Sequence, residues 1–247
     1  MIQDLIKLSK QAGEAILSYY NEPVTVYQKE NNSPLTQADL ASHELIVHGL
    51  KQLENIPIIS EEGKIPDYNE RKSWERYWLI DPLDGTKEFL KHNGEFTVNI
   101  ALMEHDEPVL GIVYLPDKNL TYIGEEDQGS FRINENGSKI KIHSVPPDIS
   151  NRLTIVESRS HASNNLDEKL SEQGLQVGKK VIAGSSLKFC LVAEGAADIY
   201  PRFGRTMEWD TAAGDAVFRY SGRNGKRKSP LSYNKPSLRH EEFIIGI

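Results

Sequence analysis

The stretch Asp81-Pro82-Leu83-Asp84-Gly85-Thr86 constrains this chain more than any other. Ahead of it, Trp78-Leu79-Ile80 is a short apolar run that reads as the end of a buried strand. Pro82 fixes its own φ and has no N–H for a sheet ladder, so the chain is expected to leave the strand and turn where the acids sit. Gly85 lets backbone approach a ligand closely, and Thr86 to Leu90 can open a helix. A strand, an acidic turn and a helix start in succession belong to an α/β architecture. The turn offers carboxylates for a hard cation, and the helix start offers N–H groups for an anion, a layout suited to metal-assisted phosphate chemistry. Taken alone, the two aspartates read equally well as a strand end and a helix cap. The whole hexapeptide behind a strand is far more specific.

The 247 residues are enough for one large α/β domain or two joined lobes. With a net charge of −7 the protein repels nucleic acid and anionic membranes, so any phosphate it binds needs local cations. Neither nucleic acid nor an integral membrane segment is expected as a partner. Cys190 is the single cysteine and reads as core within an apolar helix. Met1-Ile2-Gln3-Asp4 lacks the basic start and apolar core of a signal peptide, and the apolar runs are too short to span a bilayer. A cytoplasmic protein is expected, with association at the inner face of the cell membrane left open. No pattern distinguishes a monomer from a dimer.

Apolar residues from Leu5 to Tyr19 recur at three- and four-residue steps, which predicts an amphipathic helix over 3–20. A loop at Asn31-Asn32-Ser33-Pro34 precedes a second helix, capped by Thr36 and running to about Leu53. Strands are predicted at Ile56–Ser60, Glu95–Met103, Val109–Leu115, Leu120–Ile123 and Ser130–Ile133, with an Asn136-Gly137 hairpin before Ile140. Pro146-Pro147-Asp148 marks a boundary between a lobe at 1–147 and a lobe at 148–247. In the second, strands at Leu153–Val156, Val181–Ala183 and Ala197–Tyr200 alternate with helices at Leu166–Gln173, Leu187–Glu194 and Thr211–Phe218, which predicts helices covering a sheet.

Three more acids sit where elements begin or end. Glu61 follows Ile58-Ile59-Ser60, Asp210 lies in Trp209-Asp210-Thr211-Ala212-Ala213-Gly214, and Asp39 lies three residues after Thr36. Each has a plain alternative: a solvated loop acid for Glu61, an N-cap for Asp210, and the capping-box partner of Thr36 for Asp39. Four clustered carboxylates are untenable without cations, and Mg²⁺ prefers oxygen ligands. No Cys or His cluster has zinc spacing, and neither a G-x-S-x-G elbow nor a P-loop is present.

Ile59-Ser60-Glu61-Glu62, Trp78 through Thr86, and Trp209 through Gly214 together resemble the lithium-sensitive, Mg²⁺-dependent phosphatase superfamily. It comprises inositol monophosphatases, fructose bisphosphatases and 3′(2′),5′-bisphosphate nucleotidases. The resemblance implies a layered αβαβα sandwich and two to three Mg²⁺ ions on Glu61, Asp81, Asp84, Asp210 and the Leu83 carbonyl. It also implies that Thr86 and Asp39 orient and deprotonate the attacking water. Glu61, Leu83, Asp84, Gly85, Thr86 and Asp210 then also face the substrate.

Within that superfamily, Ser158-Arg159-Ser160-His161, Gly184 through Gly195, and Tyr200-Pro201-Arg202 are similar to nucleotide-holding segments of bisphosphate nucleotidases. The resemblance implies that Ser185 and Ser186 contact the nucleotide, that His161 lies at its base or sugar, and that Lys188 and Arg202 pair with the phosphate that is not cleaved. Arginine suits a dianionic phosphate because it binds bidentately. The implied reaction is hydrolysis of adenosine 3′,5′-bisphosphate to AMP in sulfur assimilation, with 3′-phosphoadenosine 5′-phosphosulfate as a further candidate substrate. An inositol or sugar phosphatase is the alternative within the same chemistry, and a non-catalytic nucleotide sensor the alternative of another class. The basic run Arg223, Lys226, Arg227 and Lys228 is expected to be a solvated turn.

Overall fold

The structure, a computed structural model, describes residues 1–21, 26–28, 34–160 and 165–247. Two helices of 17 residues, α1 (Ile2–Ser18) and α2 (Gln37–Leu53), bury the faces that their apolar spacing marks out. Between them β1 (Val26–Gln28) pairs antiparallel with β2 (Pro34–Thr36). Of the loop expected at 31–34, only Pro34 falls within the described residues. Thr36 caps α2: its hydroxyl accepts from the Ala38 N–H, and the Asp39 carboxylate accepts from its backbone N–H.

A seven-stranded sheet forms the centre. It runs in spatial order β3 (Ile58–Ser60), β4 (Arg76–Asp84), β5 (Thr97–Glu104), β6 (Glu107–Leu115), β7 (Leu120–Glu125), β8 (Gly129–Ile133), β9 (Lys139–Ile142). β3 and β4 are parallel and every later pair is antiparallel, so successive strands connect by short loops. α3 (Tyr68–Arg71) lies between β3 and β4, and α4 (Thr86–Leu90) follows β4. β5 is buried from Thr97 to Met103, because helices cover both faces of the sheet.

Pro82 does not end β4. The strand continues to Asp84 through a bulge, since Asp81 pairs with Asn99 and Asp84 with Thr97, leaving Pro82 and Leu83 opposite one residue. The proline is tolerated because β3 has already ended opposite Ile80, so no neighbour on that side needs its missing N–H. The bulge is also where the two aspartates are re-aimed.

Beyond residue 150, β10 (Arg152–Ser158) pairs in parallel with β11 (Gln176–Ala183), with α5 (Leu166–Glu172) between them in the chain. α6 (Leu187–Ala193) and α7 (Ala212–Arg219) lie between this pair and the large sheet. β12 (Tyr200–Arg202) sits later than the expected Ala197–Tyr200, because it pairs with β15 (Phe243–Ile245), close to the end of the chain. β13 (Thr206–Met207) pairs with β14 (Arg239–His240). The layers therefore run α1/α2, large sheet, α6/α7, small sheet, α5, an αβαβα sandwich.

Pro146-Pro147-Asp148 lies in the connection from β9 to β10, and apolar packing continues across it. Val156, Phe189 and Phe218 share one buried cluster with Tyr77, Leu79 and Met103. α7 presses directly on the sheet: a Cβ on Gly111 would lie 2.3 Å from the Ala213 carbonyl oxygen, and one on Gly124 would lie 2.4 Å from that of Ala216. Cys190 is fully buried, and burial pushes its thiol pKa well up, which leaves it as core. In the basic run, Arg227 departs from expectation. It is buried over Phe218 and donates to Ser144 Oγ and the Gly246 carbonyl, while Arg223, Lys226 and Lys228 are exposed. Among the described residues no helix is long and apolar enough to cross a membrane.

Candidate active site

The acids converge on a cavity of about 620 Å³. Ser60 stands opposite Ile80 in the parallel β3–β4 pair, so Glu61 and Asp81 leave the sheet side by side. Asp210 arrives from the other side, just before α7. Ligand oxygens of Glu61, Asp81 and Asp210 lie within 4.8 Å of one another. Asp84 lines the same cavity but is not one of that trio; its Oδ2 accepts from Ser186 Oγ at 3.1 Å. Asp210 is not a helix cap. Its Oδ2 accepts from the Met207 N–H and Thr206 Oγ1, both at 2.9 Å, and the N-cap position falls to Thr211.

Burial and crowding shape the charge here. Asp210 is pushed up to about 7, first by burial and then by the charges of Asp84 and Glu61. Burial also raises Asp84, against the opposing pull of Lys188. A cluster that resists ionisation when empty gains most from a bound cation. Its all-oxygen, acid-rich donor set fits a hard divalent ion and lacks the nitrogen and sulfur donors of a zinc site.

Asp39 serves the capping box and also holds Thr86, which lines the cavity. Its Oδ2 is held by the Thr36 N–H at 2.7 Å and the Thr36 hydroxyl at 2.6 Å, while Oδ1 accepts from Thr86 Oγ1 at 3.1 Å. The carboxylate is 1% exposed, so the cap fixes its orientation toward Thr86. Ser42, one turn further along α2, donates to the Pro82 carbonyl at 2.7 Å and ties the acidic bulge to the same helix. The Asp81 carboxylate in turn accepts from the Leu83 N–H at 3.1 Å.

The second side of the cavity is basic. Lys188, on α6, and Arg202, at the end of β12, are 6% and 9% exposed and both line the cavity. Lys188 Nζ donates to the Ser185 carbonyl and lies over the Tyr200 ring; burial lowers its pKa to about 8, with Asp84 opposing. Arg202 Nη2 donates to the Arg205 carbonyl at 2.6 Å, while its buried Nε meets no acceptor. Gly85 has φ +89°, and a Cβ there would lie 2.2 Å from Ser185 Oγ, so the two sides close on each other only through a glycine. Ser185 Oγ donates to the Asp84 carbonyl at 2.9 Å.

Leu83, Gly85, Thr86 and Ser185 all line the cavity with the acids and cations. Ser186 does not. Its hydroxyl is buried between Asp84 Oδ2 and the Asp210 carbonyl, and it accepts from Asn99 Nδ2 at 2.8 Å. Its one proton can serve either acid-bearing segment, so its position is behind the carboxylates. His161 lies outside the described residues. Sequence reasoning missed Asn99, although an amide within an apolar strand was a signal. It also missed Glu88, Lys87 and Arg205, which line the cavity. Lys87 and Glu88 directly follow the acidic motif, and Arg205 closes the turn after Arg202.

An αβαβα sandwich with an acidic, metal-competent cavity at its strand ends defines the class. Residues 1–225 match the inositol monophosphatase family. The chain is 46% identical over 253 aligned positions to the 3′(2′),5′-bisphosphate nucleotidase CysQ of Escherichia coli strain K12, covering all of both. The crystal structure of CysQ from Bacteroides thetaiotaomicron matches with a TM-score of 0.81 at 40% identity, over 98% of this chain and 95% of that one. An IMPase from Thermotoga maritima shares the fold, with a TM-score of 0.75 at 24% identity over 98% of this chain and 90% of that one. The chain belongs to the inositol monophosphatase family, whose members are metal-dependent.

Proposed function

We propose that this protein hydrolyses adenosine 3′,5′-bisphosphate to AMP and phosphate, using Mg²⁺ held by Glu61, Asp81, Asp84, Asp210 and the Leu83 carbonyl. One observation carries the reading: a single cavity sets a carboxylate trio that can hold metal against two buried cations, Lys188 and Arg202. A monophosphate needs the first side only. A bisphosphate uses both, and the likeness to CysQ nucleotidases points the same way.

Thr86 accepts the proton of the attacking water as its own hydroxyl proton passes to Asp39, along the 3.1 Å hydrogen bond between them. The cap keeps Asp39 aimed, because two donors from Thr36 hold its other oxygen. When bound, two to three Mg²⁺ ions would neutralise the phosphoryl oxygens, acidify the water and steady the leaving oxygen. Gly85 keeps this wall low enough for the phosphate, and Ser186 positions Asp84 against the segment of Asp210. The lobe at 1–147 supplies most of the acids, and the lobe at 148–247 supplies the cations and Ser185. The Arg202 guanidinium takes the 5′-phosphate together with Lys188, both of which line the cavity. A 5′-phosphosulfate presents a similar anion, which makes 3′-phosphoadenosine 5′-phosphosulfate a second substrate.

Phosphate release in Mg²⁺ from adenosine 3′,5′-bisphosphate, inositol 1-phosphate and fructose 1,6-bisphosphate tests this. The nucleotide is expected to have the highest kcat/KM. A preference for either of the others would replace the nucleotidase reading with a sugar or inositol phosphatase.

A further inference from the structure

Glu88 has no part in the reading above, yet it is built into the cavity. It lies on α4 two residues after Thr86, lines the cavity, and is 4% exposed. Its Oε1 accepts from Ser160 Oγ, beyond the end of β10. No described residue donates a hydrogen bond to its Oε2, and the side chain lines the cavity. Two glycines leave room for the side chain, one on each side. A Cβ on Gly85 would lie 3.1 Å from Oε2, and one on Gly184 would lie 2.9 Å from Glu88 Cγ.

An ionised carboxylate only accepts hydrogen bonds. In a cavity for a polyanion it repels every phosphate oxygen, so the substrate group that meets it must be a donor. A nucleoside 3′-phosphate offers two kinds of donor. The amino group of the base is far across the ribose from the scissile ester, whereas the 2′-hydroxyl is on the neighbouring ring carbon. Glu88 is two residues from Thr86, the residue placed at the reacting phosphate, which favours the neighbouring hydroxyl.

We infer that Glu88 is a specificity-determining residue that accepts a hydrogen bond, through Oε2, from the hydroxyl vicinal to the scissile phosphate ester, and so selects ribonucleotides over deoxyribonucleotides. The inference rests on the nucleotidase reading. A site built to bond a hydroxyl rejects the analogue lacking it, because its own buried group is then left unpaired.

The test compares kcat/KM for adenosine 3′,5′-bisphosphate and 2′-deoxyadenosine 3′,5′-bisphosphate. Wild-type protein is expected to prefer the ribonucleotide by about 10- to 100-fold, the range for a hydrogen bond to a charged group. Glu88→Met, similar in volume but without an acceptor, brings the ratio close to one. Glu88→Gln keeps a neutral acceptor and gives an intermediate ratio. Wild-type protein that hydrolyses both equally well overturns the inference without any variant. A ratio undiminished in a folded Glu88→Met, with folding checked by thermal denaturation, also overturns it, since the hydroxyl is then recognised elsewhere. Wild-type protein inactive on both nucleotides overturns the nucleotidase reading itself, and the inference with it.

Discussion

On the acid side of the cavity, Asp81 and Asp210 each accept hydrogen bonds from their own surroundings, and with Glu61 their like charges still crowd one another. The basic side is the reverse. Lys188 and Arg202 are few and buried, and Arg202 Nε is left without an acceptor. The acids are preset in geometry and short of positive charge; the cations lie against backbone carbonyls and, among the described residues, meet no carboxylate partner. Neither side neutralises the other, although Lys188 and Asp84 feel each other's charge. The fold thus keeps opposite charges apart, so that a cation is drawn to one side and an anion to the other.

The largest effect should come from the acid side. Asp81→Asn is expected to lower kcat by about 10³-fold or more, the scale of losing several kcal/mol of metal-borne charge stabilisation. The metal-free variant should be at least as stable as wild type, its Tm higher by about 2–4 °C per kcal/mol of relieved repulsion. Substantial remaining turnover would remove Asp81 from the metal site. The sign of the pH dependence follows from Asp210, raised from 3.8 to about 7. Its contribution to metal-free stability is full below about 3.8 and is lost as pH rises through about 7, and added Mg²⁺ should cancel that loss.

Next is the pair that links α2 to α4. Thr86→Ala and Asp39→Asn should each reduce kcat by about 10²-fold, the usual scale for general-base help. KM should move little, and the double variant should be scarcely slower than either single one, as for residues acting as one unit. Additive losses would show that they act separately. Asp39→Asn also weakens the α2 cap, so unfolding of both variants should be compared at equal Mg²⁺.

The smallest effect comes from titrating the basic side. Lys188 is cationic below its pKa, which burial has lowered to about 8. KM for adenosine 3′,5′-bisphosphate should therefore climb above that pH, approaching about tenfold per pH unit. Lys188→Arg, which stays charged, should flatten the rise. A pH-independent KM in wild type would mean that Lys188 does not hold the substrate as a cation.

The same division governs how far the sequence could be read. The acid side was legible because its residues lie in short motifs at element ends, and a strand followed by Asp81 to Thr86 has few other uses. Helices α1 and α2, the Thr36 cap and the meander through β8 were legible from local periodicity. What escaped depends on partners distant in the chain. Pro82 stays in β4 because β3 ends early, and β12 is placed by β15, more than forty residues away. Ser186 turns inward because Asn99 and the Asp210 segment meet it there. Arg227 is buried because Ser144 and Gly246 satisfy it.

The central claim is that the two sides grip different phosphates of one substrate, and Arg202→Ala tests it most directly. The quantity to measure is kcat/KM for adenosine 3′,5′-bisphosphate divided by that for 3′-AMP, in wild type and variant. The account predicts a large ratio in wild type and a fall of about 30- to 1000-fold in the variant, the equivalent of about 2–4 kcal/mol for a truncated charge pair, with 3′-AMP hydrolysis nearly unchanged. An equal loss on both substrates would contradict it, because Arg202 would then support the fold or the acid cluster and not a second phosphate.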